Sequence, residues 1–157
     1  MTDVFSGSCG NAVPPLVDTP IIVQKMLADG YTPDGPPKTI LDRIKGDGPL
    51  VEAPALIRSD EGIYFLFFSS GCTREASYDL KYAWAHNVTG PYTRAHPALL
   101  KTDDWDLLAP GSVGVSKAED GHVDMAFHAR VPSRTGRVRA MFTSRMVFRG
   151  KTVTLVL

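Results

Sequence analysis

The stretch DGPLVEAPALIRSDEGIYFLFFSS, residues 47–70, decides how this chain folds. It begins at an Asp47-Gly48-Pro49 turn signal and runs into a Pro-led segment, Ala53–Arg58. A second turn, Asp60-Glu61-Gly62, leads to an almost wholly apolar run, Ile63–Ser69. Asp, Gly and Pro clusters mark turns, and Val, Ile, Phe and Tyr between them favour strands. The same order returns downstream. Ala53-Pro54 recurs as Ala109-Pro110, 56 residues later, and the Glu61-Gly62 turn recurs at Asp120-Gly121. Ile63–Ser69 has its counterpart in Val123–Ala129, and Leu80–Ala85 in Val138–Thr143. A Pro-led strand, a turn, a very apolar strand, a mixed strand and an outer strand make one unit. Four antiparallel strands at this period describe a β-propeller blade.

Working outward, strands are expected at Thr19–Leu27, Lys38–Asp42, Ala53–Arg58, Gly62–Ser69, Leu80–Ala85, Tyr92–Leu100, Gly111–Ser116, Val123–Ala129, Arg137–Phe148 and Lys151–Leu157. Fourteen Gly and twelve Pro are spread along the chain as punctuation. No stretch holds an apolar 3.6-residue period for three turns, so the chain reads as all-β. The units fall at 50–105 and 106–157, with the end of a preceding blade and a linker in 1–49. Together they form one partial propeller domain of about two and a half blades. Blades bury their apolar faces only by stacking, so an arc of this size needs further blades or a second copy of the chain.

The 157 residues carry 17 Lys plus Arg against 17 Asp plus Glu. A nucleic-acid or anionic-membrane partner would call for a basic excess, so neither is expected. No apolar run reaches the roughly 18 residues of a membrane span. The first thirteen residues, MTDVFSGSCGNAV, lack the basic and apolar regions of a signal peptide. Two cysteines, Cys9 and Cys72, read either as one disulfide or as two unrelated buried thiols. Asn87-Val88-Thr89 is a glycosylation sequon ahead of Gly90-Pro91, weak evidence for secretion.

Several motifs together resemble glycoside hydrolase family 43, the arabinanase-, arabinofuranosidase- and xylosidase-like five-bladed propellers. Glu52-Ala53-Pro54 resembles the family's acidic opening of an innermost strand. Tyr78–Ala83, Thr89–Tyr92, Leu99–Thr102, Ala109-Pro110-Gly111, Phe127–Ala129 and Arg137–Thr143 follow in the family's order. Upstream, Cys9-Gly10-Asn11 and Thr19–Ile22 resemble the end of the second blade. The resemblance covers nearly the whole chain, as the C-terminal part of such a propeller.

Inverting glycosidases need two carboxyl groups: a protonated one for the leaving oxygen and an ionised one to activate water. The acid has to keep its proton near neutral pH, which takes burial or a neighbouring anion. Taken alone, Glu52 reads as a solvated turn residue. The resemblance makes it the general acid of an enzyme acting on arabinose- or xylose-containing plant polysaccharides. The family's base and its pKa-tuning aspartate belong to earlier blades, and neither Asp3 nor Asp18 matches them. The chain by itself is therefore expected to hydrolyse little. A non-catalytic carbohydrate-binding or pseudoenzyme half-propeller is the alternative.

The resemblance also implies substrate-binding roles for His128 and Arg139. For His128 the alternative is a hydrogen-bonded core histidine; for Arg139 it is an ordinary strand arginine, and Arg137 competes for its register. Many members have Gly-Pro-Gly-His where this chain has Ala109-Pro110-Gly111-Ser112. Ser112 removes the imidazole that helps hold an ion, so no metal is expected by that route, and no cofactor otherwise. Asp103-Asp104-Trp105-Asp106 lacks the alternating ligands of a calcium loop and reads as a solvated inter-blade loop. Trp105 either stacks on a sugar or packs under that loop. Secretion of the complete protein follows from the resemblance alone.

Overall fold

The computed structural model describes Cys9, residues 17–133 and residues 136–156. Among the described residues, ten strands form three antiparallel sheets. The first sheet pairs β1 (Ile21–Val23) with β2 (Lys38–Leu41). The second orders β3 (Val51–Arg58), β4 (Tyr64–Ser70), β5 (Asp79–Ala85) and β6 (Thr93–Arg94) as 3-4-5-6. The third holds β7 (Leu108–Lys117), β8 (Val123–Ser133), β9 (Gly136–Arg149) and β10 (Thr152–Val156) in the order 7-8-9-10. Each four-stranded sheet is one up-and-down blade. The only helical pieces among the described residues are short 3-10 turns such as Lys45–Asp47 and Asp104–Asp106.

The apolar run that opened the reading becomes β4, and its alternation shows why it is apolar on both faces. Phe65 and Phe67 point into a core shared with the third sheet, among Val123, Met125, Phe127 and Val153. Leu66 and Phe68 point the other way, onto Ile21 and Leu41 of the first sheet. A strand covered on both faces reads as a continuous apolar run. The two cores are filled by fully buried aromatics, with Phe65, Phe67 and Phe68 at 0% exposure.

Two expected strands are shorter than their composition suggested. Of Thr19–Leu27 only Ile21–Val23 is strand, with a lone bridge from Met26 to Pro33. Of Tyr92–Leu100 only Thr93–Arg94 pairs, against Trp84 and Ala83. Pro91 and Pro97 have no N–H for a ladder, which limits that strand. Beyond it, Ala95 N–H donates to Tyr82 O at 3.0 Å, and the chain meets β5 again where Leu99 N–H donates to Leu80 O and Leu80 N–H to Leu100 O, both at 2.8 Å. In contrast, β3 begins two residues before its expected start, at Val51, and so takes Glu52 into the strand.

Both inner strands begin with the same distortion. Ala53 and Ala109 each precede a proline and have φ of 49° and 53°. Their ladders slip at the same place, between Glu52 and Ala55 and between Leu108 and Gly111. Bulges of this kind re-aim side chains at strand ends. The Ala-Pro repeat in the sequence is thus a repeat of backbone conformation.

Candidate active site

The bulge on β3 leaves Glu52 half-buried opposite Ser69. One carboxylate oxygen, Oε1, accepts a hydrogen bond from the hydroxyl of Tyr78 at 2.7 Å. Tyr78 is 1% exposed and sits just before β5. Burial holds its phenol well above the ordinary range, and the neighbouring Glu52 adds to that, while a hydrogen bond with Ser69 opposes it. Tyr78 is therefore a protonated donor throughout the pH range in which a glycosidase works.

The hydroxyls line up toward the carboxylate. Ser112 N–H donates to Ser69 Oγ at 2.7 Å, across from the second blade to the first. Ser69 then has its own hydrogen free for Tyr78, and Tyr78 gives its hydrogen to Glu52. Such a chain polarises each bond in the same sense. It exists because Gly111 has no side chain. A Cβ there would lie 2.3 Å from Tyr78 Cε1 and 2.7 Å from Ser69 Oγ.

The other face of Tyr78 meets His128 of β8, the two rings stacked at 6.0 Å with 5° between planes. His128 is half-buried rather than a core residue, and burial and then the Arg139 cation lower its pKa. It is a neutral imidazole near pH 7. Its Nε2 lies 3.1 Å from Arg139 Nη1, and since a guanidinium can only donate, the imidazole proton sits on Nδ1. Arg139 on β9 also donates from Nη2 to Thr73 Oγ1 at 2.6 Å. Arg130 donates to the carbonyls of Thr73 and Arg74 at 2.6 and 2.9 Å. The segment after Cys72 is thus clasped by two arginines of the second blade. Cys72 itself is bridged to Cys9, 63 residues away in sequence, with Cα atoms 5.0 Å apart.

The three expected site residues, Glu52, His128 and Arg139, thus gather about Tyr78. The side chain of Arg137, the competitor in register, lies outside the described residues. Sequence reasoning missed Tyr78, Ser69, Thr73 and Arg130. One signal pointed to the first of these: the residue after Ala-Pro is Ala55 in one repeat and Gly111 in the other. That missing methyl is the space Tyr78 occupies. Ser112 is exposed and meets the site through its backbone N–H. Asp103–Asp106 forms a partly exposed turn before β7, and among the described residues no group of three or more His, Cys, Asp or Glu is placed to hold an ion.

Solved structures share this fold. A thermostable family-43 glycoside hydrolase superposes with a TM-score of 0.73 at 22% identity, over 87% of this chain and 46% of that one. An endo-1,4-beta-xylanase from Bacteroides thetaiotaomicron gives 0.74 at 21% identity, over 87% and 50%. The Cellvibrio cellulosa alpha-L-arabinanase gives 0.71 at 19% identity, over 88% and 50%. The chain spans about half the length of these structures. No curated protein matches it. The model of glycosyl hydrolases family 43 matches residues 13–152, from before the first sheet into the last strand, and the chain belongs to that family.

Proposed function

We propose that Glu52 is the general acid of an inverting glycosidase acting on α-L-arabinofuranosyl or β-D-xylosyl linkages of plant polysaccharides. His128 and Arg139 bind the sugar beside it. What carries the reading is the Glu52 carboxyl at a bulged inner-strand opening, held by Tyr78 at 2.7 Å, with His128 stacked on the same tyrosine. The hydrogen bond fixes one carboxyl oxygen and leaves the other to face the leaving oxygen. Neutral His128 adds no charge beside Glu52 and holds Arg139 through Nε2, and Arg139 offers its remaining donors to sugar hydroxyls. The family's base and tuning aspartate have no match in these residues, so the chain alone hydrolyses little. The domain is a single partial propeller, with blades at 50–105 and 106–157 and the end of an earlier one in 1–49. The Cys9–Cys72 bridge supports an oxidising, extracellular setting for the complete protein.

The test is hydrolysis of aryl and alkyl α-L-arabinofuranosides and β-D-xylosides by the chain and its Glu52→Gln variant. General acids contribute about 10²–10⁴-fold. Residual turnover of the alkyl glycoside should fall by that much in Glu52→Gln, and that of a nitrophenyl glycoside far less, because a good leaving group needs little protonation. The product anomer, read by proton NMR, should be inverted. Turnover that survives the substitution with both leaving groups removes Glu52 from the role. Sugar binding with no turnover at all would favour the non-catalytic half-propeller.

A further inference from the structure

The two tryptophans of the chain are treated oppositely by the fold. Trp84 packs against the inter-blade core, and Lys151 Nζ sits 3.9 Å over its ring. Trp105 is excluded from both cores and is 38% exposed, although Leu107, two residues on, is buried. Its backbone is left-handed, at φ 56° and ψ 33°, and Asp103 and Asp106 beside it have φ of 75° and 58°. Three left-handed residues that are not glycine within four positions are costly, most of all for a bulky aromatic. The turn is held in that shape by Lys101 N–H donating to Asp104 Oδ2 at 2.9 Å and by Asp103 N–H donating to Leu107 O at 2.9 Å. Strain kept at a ring that packs in no core points to a use for that ring.

The indole forms one wall of a groove of about 710 Å³ between the rims of the two blades. The groove shares no residue with the cluster around Tyr78. Its floor is apolar and buried: Tyr82, Leu100 and Val153, with the Tyr82 hydroxyl already engaged by Val153 N–H at 3.3 Å. Its rim is polar and exposed, with Asp103 and His96 on one side and the hydroxyls of Thr152 and Thr154 on the edge strand β10. An aromatic face, an apolar floor and a rim of hydrogen-bonding groups match a ligand whose rings have C–H faces and hydroxyl edges. An anionic ligand is disfavoured by Asp103 and Asp104, and a cationic one would want more than a single aromatic wall.

We propose that this groove is a second, non-catalytic binding site for a neutral oligosaccharide, with Trp105 as the stacking platform. It holds a polysaccharide chain away from Glu52. The choice of xylo- or arabino-oligosaccharide rests on the reading of Glu52 as a glycosidase acid; the groove geometry does not.

The chain is titrated calorimetrically with xylohexaose and with arabinohexaose, as wild type and as Trp105→Asn and Glu52→Gln. Asparagine tolerates the left-handed region, so Trp105→Asn keeps the turn, removes the indole and should raise the thermal midpoint. Its affinity for the preferred hexasaccharide should fall at least about tenfold, as expected for loss of a tryptophan anchor, while Glu52→Gln leaves a binding event of wild-type strength. The proposal fails if Trp105→Asn binds as wild type, if the wild type binds neither sugar, or if tetramethylammonium displaces the sugar. Binding lost only in Glu52→Gln assigns the sugar to the Tyr78 cluster and refutes the groove while sparing the acid. Turnover that survives Glu52→Gln refutes the acid while leaving this titration unaffected.

Discussion

The two blades are built on one plan and stabilised differently. The first, β3 to β6, is covered on both faces: Phe65 and Phe67 meet the second blade, and Leu66 and Phe68 meet the β1–β2 sheet. The second, β7 to β10, buries Val123, Met125 and Phe127 on one face. Its β9 leaves Met141 76% and Val138 47% exposed. Their charges follow the same division. The first blade encloses Asp47, whose side chain is 1% exposed, between Lys81 at 3.0 Å and Arg94 at 2.8 Å. In the second, Asp124 pairs with His122 and Arg145 in the open. The candidate site lies where the enclosed blade supplies the carboxyl and the open blade supplies the histidine and arginine. A rigid partner thus faces an adjustable one.

The largest expected effect tests the enclosed charges. Asp47→Ala would leave Arg94 without its ion-pair partner, Lys81 with only Asp79 at 3.4 Å, and Ile44 N–H with no acceptor. Breaking a buried pair from one side costs about 3–5 kcal/mol. Asp124→Ala in the second blade should cost under about 1 kcal/mol, as exposed pairs do. Urea unfolding of both variants checks the contrast, and equal losses would show that burial does not separate the blades.

Next comes the clasp between them. Reducing the Cys9–Cys72 bridge, or Cys72→Ser, should cost about 2–4 kcal/mol. It should also loosen Thr73 and Arg74, whose carbonyls hold Arg130. Hydrogen exchange should therefore rise at residues 73–77, and the Arg139 guanidinium signals should shift. Stability lost with the arginine signals unmoved would mean that the bridge staples the chain without supporting the site.

A smaller effect pits two glycines of one strand against each other. Gly111→Ala forces a methyl against Tyr78 and Ser69 and should cost about 1–3 kcal/mol, as overpacking does. Gly114→Ala meets nothing within 4 Å and should be neutral or stabilising by about 0.4–1 kcal/mol. Thermal melts read the sign. A neutral Gly111→Ala would mean that Tyr78 moves freely and that its bond to Glu52 is not fixed by packing.

These contrasts also mark how far the sequence could be read. The blades were legible because apolar runs and turn residues are local properties, repeated around Ile63–Ser69 and Val123–Ala129. The extent of the outer strands was not, because the Tyr and Thr that open Tyr92–Leu100 say nothing about the ladder N–H groups missing at Pro91 and Pro97. Glu52, His128 and Arg139 were legible only through resemblance, since a lone Glu, His or Arg carries no spacing signal. Tyr78 escaped because its role depends on a missing methyl 33 residues downstream, a relation that only three-dimensional packing makes visible.

The smallest effect lies in the open blade. His128 has a lowered pKa through burial and the Arg139 cation, so its unfolded form takes up a proton first as pH falls. A group depressed in the folded state contributes stability above its unfolded value, near 6.5. That contribution drains away as pH drops below 6.5 toward the folded value, where a protonated ring would face Arg139 3.1 Å away. Stability should therefore decline through this window in the wild type and flatten in His128→Gln, which keeps an acceptor for Arg139 and does not titrate. Denaturant midpoints measured between pH 7.5 and 5 give the slope. If His128→Gln declines just as steeply, the pH response belongs to other groups, and the second blade's side of the site is no more sensitive to protons than the enclosed blade that faces it.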